Sequence, residues 1–124
     1  MDVGQSTAAQ LWQQATDGTF KMDPDTAKRV ADCYTRFADG LVSQIRESMR
    51  LHSLSGFGDF ASAQQLQQGF AAKGEKLTEA LVGTQEAALR MAAAHLRAGG
   101  LLSDADAMNQ RAINAVGNQL GGRQ

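Results

Sequence analysis

Apolar residues recur at steps of three and four along two long stretches of the chain, separated by a short run rich in glycine and phenylalanine. In the first stretch Val30, Tyr34, Phe37, Leu41, Ile45, Met49 and His52 share one helical face. Asp23-Pro24 marks its start, because Asp accepts from the free N–H groups of a first turn and Pro suits the first helical position. These signals predict a helix over residues 25–52. Asp32 with Arg36, and Glu47 with Arg50, stand on the other face at spacings that allow weak surface pairing. Gly40 inside the run is expected to mark close approach by a neighbouring helix.

The second stripe is Ala63, Leu66, Phe70, Leu77, Ala80 or Leu81, Thr84, Ala88, Met91 and His95. Its later half alternates steps of four and three, the spacing of a coiled-coil seam, and its many small residues admit a close partner helix. Gly99-Gly100 is expected to stop it after roughly thirty-five residues. Between the stripes, Gly56 and Gly58 are expected to take unusual backbone angles, with Asp59 or Ser62 capping the second helix. Glu86 and Arg90 pair on its outer face.

Two short helices are expected outside this pair. One covers residues 6–15 with Leu11 and Trp12, and ends at Thr16-Asp17-Gly18-Thr19. The other covers about 103–118, with Asp104 and Asp106 near its positive end and Met108, Ala112, Ala115 or Val116, and Leu120 as a modest stripe. Residues 121–124 read as a frayed tail. The pattern thus predicts a single all-α domain over residues 1–124. Its core is a long antiparallel helical hairpin, about 25–98, with short N- and C-terminal helices, completing a four-helix bundle with a partner.

Composition narrows the function classes. The 124 residues suffice for one modest core, and the single proline and 6% aromatics give sheet formation little support. Twelve basic and 13 acidic residues leave a net charge of -1, without the basic excess that nucleic acid or an anionic membrane would select. No segment approaches the ~18 continuous apolar residues of a membrane span. The N-terminal residues lack the basic and apolar regions of a cleaved signal peptide, so any export is expected to use a route without one. The lone Cys33 lies within the first stretch, where a small buried hydrophobe is the expected role and an intermolecular disulfide the alternative.

Candidate chemistry is sparse. His52 and His95, the two histidines, fall near opposite ends of the expected hairpin, and neither has a metal-ligand neighbour at helical spacing. Glu75 and Glu79 read as a solvated face rather than an acid–base pair. Gly56-Phe57-Gly58 lacks the third glycine and the preceding strand of a nucleotide loop. No catalytic, cofactor-binding or metal residue is nominated, no cofactor is expected, and the chain is read as a non-enzyme. Phe57, Phe60 and Phe70 either plug the closed end of the hairpin or offer an aromatic anchor to a partner, and Trp12 either covers the open end or is a contact.

A long helix, a turn with an aromatic between glycines and a second long helix together resemble type VII (ESX) secretion-associated proteins, relatives of the Trp-Xaa-Gly (ESAT-like) family. The resemblance rests on residues 55–63 (Ser-Gly-Phe-Gly-Asp-Phe-Ala-Ser-Ala), Leu66, Gly69-Phe70 and Lys73, then Met91-Ala92-Ala93-Ala94 and Ala105-Asp106-Ala107. It covers about residues 25–113. Phe57-Gly58 stands where the family carries Trp-Xaa-Gly. The family's export signal, a Tyr followed four residues later by Asp or Glu after the second helix, is absent: the one tyrosine, Tyr34, is followed at that spacing by Ala38.

The resemblance implies a protein that pairs with a related hairpin protein or with the helical N-terminal domain of an effector. It would be cytoplasmic before export, and secreted with a partner that supplies the signal or retained as a chaperone-like subunit. The alternative is an autonomous homodimeric structural bundle unrelated to secretion. Phe37, Leu41, Ile45 and Met49 from the first helix, and Leu77, Leu81, Ala88 and Met91 from the second, are the residues expected to make the hairpin seam or the partner contact. The turn motif is Gly56, Phe57, Gly58, Phe60 and Phe70.

Overall fold

The computed structural model describes the backbone of residues 2–121 and the side chains of residues 2–117. Among the described residues the regular elements are helical: α1 (Gln5–Asp17), α2 (Pro24–Gly40), α3 (Val42–Met49), α4 (Ala61–Ala98) and α5 (Leu102–Gly121), with a 3-10 turn at Arg50–Ser53. The chain is all-α. The expected place of Leu120 in a stripe and the tail reading over residues 122–124 lie outside what is described, whereas Gly121 is the last residue of α5.

Local chemistry accounts for most helix ends. The Asp2 carboxylate accepts from the backbone N–H of Gly4 (2.9 Å) and of Ser6 (3.3 Å), and from the Ser6 hydroxyl, just ahead of α1. The Ser6 hydroxyl, with these amides, lowers its pKa from 3.8 to about 2. Gly18, at φ 83°, closes the helix. Asp23 caps α2 by accepting from the Thr26 N–H at 3.2 Å, with Pro24 in the first turn. Gly56 and Gly58 take φ of 85° and 104° in the loop before α4, conformations that a Cβ would strain. Neither Asp59 nor Ser62 caps α4. The residue before its first turn is Phe60, extended at φ -67° and ψ 144°, and no side chain accepts from the free amides there.

The helix expected over residues 25–52 is divided at Leu41. Leu41 keeps right-handed angles, its N–H donates to Ala38 O at 3.2 Å, and Ile45 N–H donates back to Leu41 O at 2.9 Å. The chain therefore tightens through one turn and continues as α3. Gly40 does not mark a close approach, because a Cβ there would meet nothing within 4 Å. Its cost to helix propensity, unrelieved by packing, coincides with the break.

Every other helix packs on α4. α2 and α3 run along it in the opposite direction: Met22 N–H donates to Ala98 O (3.0 Å), Gln85 Nε2 to Ala38 O (3.0 Å), and Ser48 meets Thr78. α1 runs in the same direction as α4, from Gln5, whose Nε2 donates to Gly83 O at 2.9 Å, to Trp12, with the Arg97 guanidinium 4.8 Å over its ring. α5 returns down the remaining side, Ala105 clustering with Ala31, Ala92 and Leu96, and Ala112 with Ala38, Ala88 and Leu89. Arg111 bridges to Asp39 at 2.7 Å, tying α5 to the end of α2.

The core is thus made of alanines around Leu89 and Leu96, with Trp12, Tyr34, Leu101 and Met108 closing over its margins. Small side chains let three helices approach one axis, so buried area per residue is modest while contact is close. α1 and α5 lie along the second half of α4 rather than beyond the ends of a helix pair.

Candidate interaction surface

Apart from Leu41, the large residues of the two stripes do not form the seam between α2–α3 and α4. Along α2 and α3 the buried positions are Ala27, Ala31, Ala38, Leu41 and Ser48; along the first half of α4 they are Gly74 and Thr78. The seam is a line of small residues, displaced by a fraction of a helical turn from the stripe that hydrophobicity marks. Of the residues nominated from sequence, Leu41 and Ala88 are buried, and Ile45, Leu81 and Met91 are half-buried. Phe37, Met49 and Leu77 keep 53%, 39% and 46% of their surface exposed.

Except for Leu41, those residues divide among three open grooves. Phe37, Ala88 and Met91 line one of about 510 Å³ between α1 and α2, with Cys33 and Tyr34. Ile45 and Met49 line one of about 540 Å³ between α3 and α5, with Val42, Val82 and Leu89. Leu77 and Leu81 line a third, of about 430 Å³, with Leu51, Gln44 and Glu47. Cys33 is exposed, contrary to the expected buried role, because its position on α2 points away from the alanine seam.

Beneath the third groove lies a polar cluster that sequence reading missed. Ser48 Oγ lies 2.6 Å from Thr78 Oγ1 and 2.7 Å from Ile45 O; Thr78 Oγ1 lies 3.1 Å from Gly74 O; His52 Nε2 lies 2.8 Å from Thr78 Oγ1. Two hydroxyl protons cannot serve these four contacts, and a proton on His52 Nε2 donated to Thr78 would bring the number served to three. Thr78 has no exposed surface and Ser48 only 3%, which keeps both hydroxyls from any substrate in solution. The cluster fastens α3 and the 3-10 turn to α4. Its only sequence signal was a Ser and a Thr recurring where the apolar period would put a hydrophobe.

His95 is a separate case. Its Nδ1–H donates to Met91 O at 2.7 Å, with Phe20 edge-on and Tyr34 tilted, each 5.4 Å between ring centres. Among the described residues no three His, Cys, Asp or Glu side chains gather as metal ligands, and no helix is long and apolar enough to cross a membrane.

In the turn, Phe57 is half-buried with its ring centre 6.2 Å from that of Phe70, which remains 50% exposed, while Phe60 is 80% exposed. Phe57 and Phe70 therefore cover the turn together, and Phe60 projects into solvent. Leu66 is 55% exposed on the same helix as Phe70 and Leu77. The site is a surface: a bare apolar face on the first half of α4, bordered by α3 and the turn. Comparison with family models, with curated proteins and with solved structures finds no match.

Proposed function

We propose that the chain is a non-enzymatic helix-pairing protein of a type VII-like secretion system, acting as a hairpin that binds a related hairpin protein or the helical N-terminal domain of an effector. The observation that carries the binding part is the bare face of α4: Leu66, Phe70 and Leu77 stand about half exposed where the second half of the same helix is covered by α1 and α5. A partner hairpin laid there would complete around the first half, with α3 and α4, the four-helix arrangement that the chain makes for itself around the second. The secretion part rests on the turn and second-helix resemblance around Phe57-Gly58.

Co-expression with the genomic neighbour tests this reading, with mass measured by light scattering. A one-to-one complex, lost when Leu81 is changed to Glu, is the expected result. A chain that ignores its neighbour removes the secretion reading. The second reading, an autonomous structural bundle, draws on the same terminal helices: α1 and α5 already supply two flanks of α4 without any partner.

A further inference from the structure

We infer that α3 and the 3-10 turn, residues 42–53, form a strap that releases from α4 as one unit while the remainder of the chain stays folded. Within the strap Ser48 alone is buried, Ile45 and His52 are half-buried, and the rest are exposed. Every buried hydrophobic residue of the described chain lies outside residues 42–79. Burial of apolar surface is the main favourable term of folding, and the strap draws little of it. Neither core cluster includes a strap residue, so the closed part of the molecule does not lean on it.

Both ends of the strap have room to turn. At one end a Cβ on Gly40 would meet nothing within 4 Å, and the buried Leu41 holds the joint to the closed half. At the other, Leu54 is extended and leads into Gly56 and Gly58, where a Cβ would likewise meet nothing within 4 Å. The fastening between these ends is polar: Ser48 and His52 meet on Thr78, with at most three protons for the four contacts of the cluster. A buried contact short of a proton returns less than a full hydrogen bond. The eight residues of α3 are too few to remain helical away from their support, so release and melting are one event. α3 is also the wall between two apolar grooves. Ile45 and Met49 line the one with Val82 and Leu89, and Ser48 and Leu51 line the one with Leu77 and Leu81. Release joins the two into one trough along α4 with Thr78 on its floor. The strap thus controls how much apolar surface this helix shows.

The test is native-state hydrogen exchange on the full chain. Amides of residues 46–53 should exchange through one shared opening, about 100-fold more often than those of residues 84–98, which wait for global unfolding. Ala112→Gly, at a fully buried position of α5, should speed exchange over residues 84–98 about fivefold and leave the strap's rate unchanged. Gly40→Ala adds helix propensity where a Cβ has room, and should slow the strap's opening about two- to fivefold. A strap as protected as residues 84–98 overturns the inference, as does one that follows Ala112→Gly by the same factor, or separate rates for its individual amides. An unchanged rate in Gly40→Ala overturns the joint. No partner is present in these experiments, so their failure leaves the secretion reading standing, and the co-expression result does not decide the strap.

Discussion

One helix carries two environments. Over residues 80–98 of α4 no residue is exposed, and α1, α2 and α5 surround it; over residues 61–79 only Gly74 and Thr78 are buried, under α3 and the 3-10 turn. Composition differs accordingly. The closed half presents Ala87, Ala88, Ala92, Ala93, Ala94 and Ala98, while the open half carries Gln64, Gln65, Gln67 and Gln68 around an apolar line. Both halves contain large hydrophobes. The closed half covers them because α1 and α5 lie along it; the open half has small residues of its own, Ala61, Ala63, Gly69, Ala71 and Ala72, yet leaves its large ones in water because only α3 and the 3-10 turn pack there. The lesson is that burial along α4 follows from which helices reach it rather than from the size of its own residues.

The sharpest break of this comparison is one truncation in each half. Leu89 is 2% exposed in the cluster with Ala38, Ala88 and Ala112. Leu89→Ala should cost about 2–4 kcal/mol in chemical denaturation. Leu66→Ala, at 55% exposure, should change the dilute chain by less than ~0.5 kcal/mol. Equal costs would mean that the two halves are not distinct.

Next in size is Thr78→Val, which keeps the shape and removes the hydroxyl that meets Ser48 and His52. Leaving those polar groups short of a partner should cost about 1–3 kcal/mol. Hydrogen exchange should show the loss mainly in α3 and the 3-10 turn. Protection lost evenly over the whole chain would show that the cluster is not a local fastening.

Two glycines give a matched pair. A Cβ at Gly99 would come 2.5 Å from the Ala27 Cβ, and one at Gly74 would come 2.5 Å from the Leu51 Cβ. The Gly74 clash is the tighter, because the same Cβ would also meet the Leu51 carbonyl carbon at 3.1 Å and oxygen at 3.3 Å, in a turn that the His52–Thr78 contact fastens to α4. Gly99→Ala should destabilise by about 1–3 kcal/mol. Gly74→Ala should cost at least as much, about 1–3 kcal/mol, although the gain in helix propensity offsets part of the strain. Thermal melts of the two variants decide it, and a Gly74→Ala chain as stable as the parent would show that the turn yields.

The smallest effect concerns the end of α1. Asp2 has its pKa lowered from 3.8 to about 2 by Ser6 and the neighbouring amides. A depressed carboxylate stabilises above its unfolded value, so this contribution is present above about pH 4 and fades as pH falls toward 2. Asp2→Asn should loosen the first turn of α1 at neutral pH, read as faster amide exchange at Gly4 and Ser6, and make no difference at the acid limit.

Much of the helical framework is legible in the sequence. The Asp23-Pro24 start, the glycine turn, the stop at Gly99-Gly100 and the pairs Asp32–Arg36, Glu47–Arg50 and Glu86–Arg90 all follow from short-range rules, and the three pairs form at 3.2–3.4 Å; the last lies part-buried beside α1, where Glu86 accepts from Gln5, rather than on an outer face. The phase of the seam did not follow. A stripe search weights Phe37, Met49 and Leu77, but α2 and α4 approach along alanine, glycine, serine and threonine, which such a search treats as neutral. The break at Leu41 was hidden because neither Gly40 nor its neighbours forbid a helix. Nor could periodicity say that α1 and α5 lie along α4, since docking of short helices depends on the shape of the groove that the longer ones leave.

The 38 residues of α4 run without interruption, about 57 Å at ~1.5 Å of rise per residue, while the opposing leg is jointed at Leu41. The two legs therefore differ in stiffness. From Phe70 the path to the alanine core follows one continuous ladder of helical hydrogen bonds, whereas from Leu51 it crosses the tightened turn at Leu41. The free end is therefore joined to the far end by two legs of different construction.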